Sequence, residues 1–230
     1  MEHSILEEIL ERSKQELVAI GAEAQIWKAS WYGYPAIIKV RRRKKYLHPQ
    51  LLDEINVKRM RRETKILVTL AKTGVCVPTL YAAFFSKWAL VMKAIEGQPL
   101  SQCLKDRCSQ ENIKLAGRYL GLIHNVGVIH GDYTVNNMIV TNRGDTCIID
   151  FGLSEFSTDP EDRAMDLYLF LKSINSILPP EIAEDYFGIF LKAYSSVFNE
   201  WYAVKERLEE IMLRGRYVEE RRLSTRVSDR

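Results

Sequence analysis

The sequence predicts an α+β fold of two lobes: an antiparallel sheet, then a reduced helical lobe. Three observations carry this. Short β-patterned runs crowd the first 96 residues, and apolar residues recur at helical spacing through most of the remaining chain. Between the helical runs, the stretch His130 to Gly152, HGDYTVNNMIVTNRGDTCIIDFG, reads as loop, hairpin, loop. The expected boundaries are 1–96 for the sheet lobe, 97–213 for the helical lobe and 214–230 for a basic C-terminal tail.

In chain order, Ser4 caps a first helix whose Ile5, Leu6, Ile9 and Leu10 form one apolar stripe. Residues 17–20, 25–30 and 34–40 read as strands, joined through Gly21-Ala22-Glu23-Ala24 and through Tyr32-Gly33. A long helix over 49–72 stops before Gly74. Residues 78–85 and 88–95 make a hairpin about Ser86-Lys87, and Glu96-Gly97-Gln98-Pro99 breaks the pattern as a hinge. Ser109 caps a helix carrying Leu115, Leu120, Leu122 and Ile123, with Asn125 to Gly127 as its stop. After Gly152 comes a helix with Asp166 at its start and an apolar surface of Leu167, Leu169, Phe170, Leu171 and Ile174, ended by Pro179-Pro180. Helices over 181–198 and from 200 to about 213 complete the domain. The tail beyond lacks an apolar stripe, which predicts a mobile segment.

With 230 residues, 47% hydrophobic and 27% charged, the chain can bury a core as one bilobal unit. No run approaches the roughly 18 apolar residues of a membrane span. The start, MEHSILEEILER, is acidic and amphipathic, unlike a leader peptide, so cytoplasm and nucleus are the expected locations. Four cysteines without a C-x-x-C pattern predict reduced thiols, with neither disulfide nor zinc. The net charge of +3 hides an asymmetry: residues 39–65 carry eleven Lys or Arg against three acids, and 214–230 carry six Arg against three. A polyanionic partner is one reading, and solvated helix faces with local ion pairs the other.

The chemistry concentrates on Asp132, Asn137 and Asp150. Asn137 follows Asp132 by five residues, and Asp150 opens an Asp-Phe-Gly triplet. In the kinase template the first Asp receives the acceptor proton, and the Asn and second Asp hold Mg²⁺ through hard oxygen atoms. Lys39, in Ala36-Ile37-Ile38-Lys39-Val40, matches the lysine that reaches the α and β phosphates of ATP. Burying it is costly without a fixed anionic partner. Glu63 is preferred for that partner because Ile66, Leu67 and Leu70 give its helix an apolar face one turn on, and Glu54 is the runner-up. Gly21, Ala22, Glu23 and Ala24 would cover the phosphates, although one glycine is a weak signal. Met92 would back the adenine pocket, and 93–96, ending at Glu96, would offer backbone groups to the base. Asp132 and Lys39 are thus the catalytic candidates, Asn137 and Asp150 the metal candidates, and ATP and Mg²⁺ the expected cofactors. His124 and His130 read as packing and loop-bracing residues. The plainer alternative makes Asp132 and Asn137 turn formers, Asp150 a strand end and Met92 core filling.

With Lys39, Glu63, Asp132, Asn137 and Asp150 in order, the chain resembles a miniature eukaryotic-type kinase. GAEAQIWK, HGDYTVNNM, IIDFGLS, DRAMDLYLF and RGRYVEERR together resemble the small kinase of the EKC/KEOPS complex, the bud-site-selection kinase family, over essentially the full length. The resemblance implies a RIO-like kinase with a trimmed C-terminal lobe, ATP hydrolysis, serine autophosphorylation and a role in threonylcarbamoyladenosine modification of tRNA. Its implied partners are the threonylcarbamoyl-transferase subunit, other subunits of the complex and, through the complex, tRNA; no membrane is implied. Runs 41–45 and 58–62 and the tail are expected to help hold tRNA, or the tail to reach the transferase through Arg216, Arg221 and Arg222.

Three departures from ordinary kinases stand out. Gly131 replaces the arginine that holds a phosphorylated activation loop. Only thirteen residues separate Gly152 from Asp166, too few for a peptide-docking segment. Thr134 stands where many kinases place a lysine near the γ phosphate. Within the family pattern, Tyr133 replaces a leucine and the tail reads RGRYVEERR for RGRKRS. Two further readings compete: a scaffold that binds nucleotide without turning it over, and a small-molecule kinase of the aminoglycoside or choline type, which generally carries a large helical insert.

Overall fold

The computed structural model describes residues 8, 10–21, 23–42, 49–106 and 109–228, with backbone alone for 49 and 215–228. Strands β1 (Lys14–Ile20), β2 (Ala24–Trp31), β3 (Tyr34–Arg41), β4 (Leu80–Phe84) and β5 (Ala89–Lys93) form one antiparallel sheet in the order β1-β2-β3-β5-β4. Period-2 alternation along β3 turns Ala36 and Ile38 into a small core with Leu10, Ala29, Trp31, Ala89 and Val91. The intervening Ile37, Lys39 and Arg41 line cavities on the opposite face. Tyr32 and Gly33, at φ +49° and +84°, supply the left-handed pair that a two-residue hairpin requires. Leu10 is buried against this sheet, whereas Ser4, Ile5, Leu6 and Ile9 lie outside the described residues.

Helix α1 (Pro49–Leu70) contacts β4 and buries Met60, Ile66, Leu67 and Leu70. Gly74, at φ +77°, lies in the turn after it. The helical part comprises α2 (Leu100–Lys105), α3 (Gln110–Asn125), α4 (Pro160–Asn175), α5 (Pro180–Ser195) and α6 (Trp201–Ser228). Ser109 caps α3 by accepting from the Glu111 N–H at 3.2 Å, and Asp159 caps α4 by accepting from Glu161 at 2.8 Å. Helices α3 and α5 pack so closely that a Cβ on Gly117 would lie 2.2 Å from the Phe190 carbonyl oxygen. Phe170 and Phe190 stack with centroids 3.9 Å apart in a core that runs continuously from α1 to α6. No helix among the described residues is long and apolar enough to cross a membrane.

Two small sheets lie between these parts. β6 (Gly97–Pro99), β8 (Met138–Thr141) and β9 (Thr146–Ile148) form one, and β7 (Val128–Ile129) pairs with β10 (Glu155–Phe156) in the other.

The structure corrects four expectations. Residues 97–99 are not a simple break but strand β6, and Gly97 permits it: a Cβ there would lie 2.1 Å from the Val140 carbonyl oxygen. Asp166 does not open its helix, since Asp159 is the cap and Pro160 the first residue, which puts Asp166 in the second turn. Helix α6 continues to Ser228 rather than ending near 213; its Arg and Glu residues are strong helix formers and need no apolar stripe. Cys76 and Cys147 form a disulfide instead of remaining reduced, and Cys103 too is disulfide-bonded. The Ile148 N–H donates to the Cys76 carbonyl at 2.8 Å, which brings the two Cα atoms to 4.5 Å although 71 positions separate them in sequence.

Candidate active site

β3 delivers Lys39 and α1 delivers Glu63 to the same buried point. Lys39 Nζ lies 2.7 Å from Glu63 Oε1 and 2.6 Å from Asp150 Oδ1. Glu63 is 2% exposed and gives its second oxygen to Arg41 Nη2 at 2.8 Å, while the runner-up Glu54 is solvent-exposed. Burial works against the Lys39 ammonium, but Glu63 and Asp150 outweigh it and hold its pKa above the ordinary lysine value. At Asp150 partial burial favours the neutral acid, yet Lys39 and the Gly152 N–H prevail and its pKa falls below the usual carboxylate value. Asp150 adopts φ +61°, the left-handed turn that aims its carboxylate back at β3. A Cβ on Gly152 would lie 2.9 Å from Lys39 Nζ and 3.1 Å from Asp150 Oδ1, so the ion pair sits directly against this glycine.

Asp132 and Asn137 meet directly. Asn137 Nδ2 donates to Asp132 Oδ2 at 2.7 Å and to its carbonyl at 2.9 Å, leaving Asn137 Oδ1 available as an oxygen ligand. The loop that carries Asp132 is braced from below. Asp166, 1% exposed, accepts from the backbone N–H groups of His130 (2.7 Å) and Gly131 (2.8 Å) and from His124 Nε2 (3.2 Å). His130 Nε2 faces the Ile149 carbonyl at 3.1 Å and so carries the proton, which leaves Nδ1 to accept from the Asp132 N–H at 3.3 Å. Burial pushes the pKa of both histidines down and keeps them neutral. Gly131 sits at φ +78°, and a Cβ there would lie 2.6 Å from the Leu153 carbonyl oxygen. An arginine does not fit at that position.

Two adjoining chambers open over these groups. The first, about 300 Å³, is mostly apolar, with Met92, Ile139, Ile149 and the 93–95 segment in its walls. The second, about 290 Å³, holds most of the charged groups and is bounded by Gly21, Glu23, Ala24, Arg41, Asp132 and Gly152. Lys39, Asp150 and Ile26 belong to both. Every expected site residue that is described therefore faces one chamber or the other, except Glu96, whose side chain is exposed and lines neither. Ala22 lies outside the described residues.

Two contributors escape the sequence pattern. Arg41 heads a basic run expected to hold tRNA, but it is buried against Glu63. Asp166 reads in sequence as a helix start; its appearance 36 residues after His130 carries no local signature. The second basic run is also largely committed within the chain: Arg59 pairs with Glu23 at 2.9 Å, Arg62 with Glu155, and Arg61 stacks over Phe85. Residues 43–45 lie outside the described residues, as do the side chains of 215–230.

The sheet, the helical part and the two chambers define a kinase-like protein, and the family model described as RIO domain matches residues 36–166, the span from β3 to Asp166. The chain is 34% identical over 215 residues to "KEOPS complex subunit Bud32" of Pyrococcus abyssi, covering 89% of this chain and 97% of that one. It is 33% identical over 209 residues to "EKC/KEOPS complex subunit bud32" of Dictyostelium discoideum, covering 87% and 82%. It is 33% identical over 206 residues to a probable bifunctional tRNA threonylcarbamoyladenosine biosynthesis protein of Methanothermobacter thermautotrophicus, covering 89% of this chain but spanning 37% of that longer protein. The chain belongs to the RIO domain family and, within it, to the Bud32 family.

Proposed function

We propose that this chain is an ATP-dependent phosphotransferase and ATPase, an atypical serine/threonine kinase by chemistry, that serves as a subunit of an EKC/KEOPS-type complex in threonylcarbamoyladenosine modification of tRNA. The position of Lys39 carries the chemical part of this reading: its ammonium stands between Glu63 and Asp150 where the two chambers meet. The names of the relatives supply the setting. The threonylcarbamoyl-transferase subunit and, through the complex, tRNA are the corresponding partners, and cytoplasm and nucleus the compartments. We assign 1–96 and 97–213 to the two lobes and 214–230 to a basic C-terminal tail, of which 214–228 continue α6.

The residues present fit Mg²⁺-ATP. Asn137 Oδ1 and the half-exposed Asp150 carboxylate are the hard oxygen donors that Mg²⁺ prefers, and the chambers suit a base on one side and phosphates on the other. When bound, Mg²⁺-ATP supplies the transferable phosphoryl group and neutralises part of its charge. Met92 and Ile139 would enclose the base, and the backbone at 93–95 would meet its polar edge. Lys39 would exchange Asp150 for the α and β phosphates while keeping Glu63, and Asn137 and Asp150 would hold the metal. Asp132, oriented by Asn137 Nδ2 and by its own N–H on His130, would accept the proton of the attacking water or serine hydroxyl.

ATP turnover by the purified chain, alone and with its transferase partner plus tRNA, tests the reading. Turnover that the partner and tRNA stimulate is expected. Nucleotide binding without turnover in any of these mixtures would make the chain a nucleotide-holding scaffold.

A further inference from the structure

Arg41 is a buried charge to which the phosphoryl-transfer reading gives no task. β3 places it two residues beyond Lys39 on the same face, with its side chain 4% exposed. One edge of its guanidinium donates to Glu63 Oε2 at 2.8 Å, while Glu63 Oε1 takes Lys39 at 2.7 Å. Two buried cations thus share one buried carboxylate. The nearest acid to the other edge, Nη1, is Glu23 at 3.7 Å, beyond hydrogen-bond reach, and Glu23 is held more closely by Arg59 at 2.9 Å. Among the described residues, the Arg41 side chain hydrogen-bonds to Glu63 alone.

Removing a cation from water is costly unless charge partners offset it. If Asp150 turns to Mg²⁺, Glu63 is left, among the described residues, as the one acid within hydrogen-bond reach of Lys39 and Arg41, with Glu23 at 3.7 Å from Arg41, and the two cations border the chamber that Arg41 lines with Glu23, Asp132 and Gly152. A Cβ on Gly152 would lie 2.9 Å from Lys39 Nζ and 3.6 Å from Arg41 Nη2, so both cations converge on the backbone next to Asp150. Thr134, at the usual lysine position, brings no charge of its own.

We propose that Arg41 is a catalytic residue whose Nη1 edge takes a non-bridging oxygen of the transferring phosphoryl group while Nη2 stays on Glu63. This rests on the phosphoryl-transfer reading above. In the step, the bond from the γ phosphorus to the bridging oxygen breaks and a bond to the acceptor oxygen forms. The acceptor proton passes to Asp132, and Arg41 stays protonated throughout. Charge gathers on the equatorial oxygens in the transition state, and a guanidinium already fixed by Glu63 meets it without reorganising. Only a forked side chain can hold the carboxylate with one edge and the phosphoryl with the other. Lys39 then governs ground-state affinity and Arg41 the rate.

Arg41→Gln and Arg41→Lys in the full chain test this by single-turnover ATP cleavage and by calorimetric binding of Mg²⁺-ADP with and without aluminium fluoride, a mimic of the phosphoryl in flight. Arg41→Gln is expected to slow cleavage by about 10²- to 10³-fold, to leave ADP affinity unchanged and to abolish the tighter binding that aluminium fluoride brings. Cleavage within about threefold of wild type overturns the proposal. So does an equal loss of ADP affinity, because Arg41 would then act only through Glu63 and Lys39. If Arg41→Gln fails to fold, Arg41→Lys decides: a fall of about tenfold or more with ADP affinity intact supports the role, and a wild-type rate refutes it. A wild-type chain that binds ADP but neither cleaves ATP nor responds to aluminium fluoride overturns the phosphoryl-transfer reading as well, a failure recognisable because it precedes any substitution.

Discussion

Lys39 Nζ lies 2.6 Å from Asp150 Oδ1, so the cation assigned to the phosphates and the carboxylate assigned to the metal neutralise one another. On the proposed reading, the pair parts when Mg²⁺-ATP enters. Each member has a second anchor that keeps its place: Glu63 for Lys39 and the Gly152 N–H for Asp150. The proposed ligands would thus replace one contact while the two anchors hold both side chains in place.

Asp150→Ala should weaken Mg²⁺-dependent ATP affinity by more than about tenfold, because a charged metal ligand is lost. In EDTA the same variant should bind nucleotide at least as well as wild type, since Lys39 loses a competing carboxylate. Calorimetric titrations with and without Mg²⁺ check both halves. An unchanged Mg²⁺ dependence would remove Asp150 from the metal site.

Asp166→Ala should destabilise the chain by about 3 kcal/mol, since the buried His130 N–H, the part-buried Gly131 N–H and the buried His124 ring lose an ionised acceptor. Asp166→Asn, which keeps one acceptor oxygen, should cost less. Urea unfolding gives the difference, and a loss below about 1 kcal/mol for the alanine variant would deny Asp166 its bracing role.

Stability should fall as pH is lowered from about 7.5 towards about 5. His124 and His130 have folded pKa values below the ordinary 6.5, so below about 6.5 the unfolded chain binds protons that the folded chain refuses. The loss continues until the folded pKa is passed, and Asp150, whose pKa is also depressed, extends it to lower pH. Melting temperatures across this range should decline in wild type and decline less in His124→Gln. A flat profile in wild type would contradict the buried neutral state of both rings.

Much of this site is legible in the sequence because its parts are local. Asp132, Asn137 and Asp150 are spaced by one loop and one hairpin, and the strand around Lys39 announces a lysine among apolar neighbours. Glu63 is separable from Glu54 because the apolar residues one turn on fix which helix face is buried. Features that depend on distance or on solvent stay hidden. Arg41 looks like the first arginine of a solvated run, and only the β3 register with Lys39 turns it inward. Asp166, the Cys76–Cys147 pair and the pairing of β7 with β10 each join segments far apart in the chain. Gly131 is legible as the loss of an arginine, but not as a position that excludes any side chain.

Asp132 is assigned to a proton at the transition state rather than to bound nucleotide, and the rest of the mechanism depends on that assignment. Single-turnover phosphate release from Mg²⁺-ATP by wild type and Asp132→Ala, with ADP affinity measured on the same samples, tests it most directly. The rate should fall by about 10²- to 10⁴-fold with ADP affinity unchanged. A variant that cleaves ATP within a few-fold of wild type would contradict the assignment.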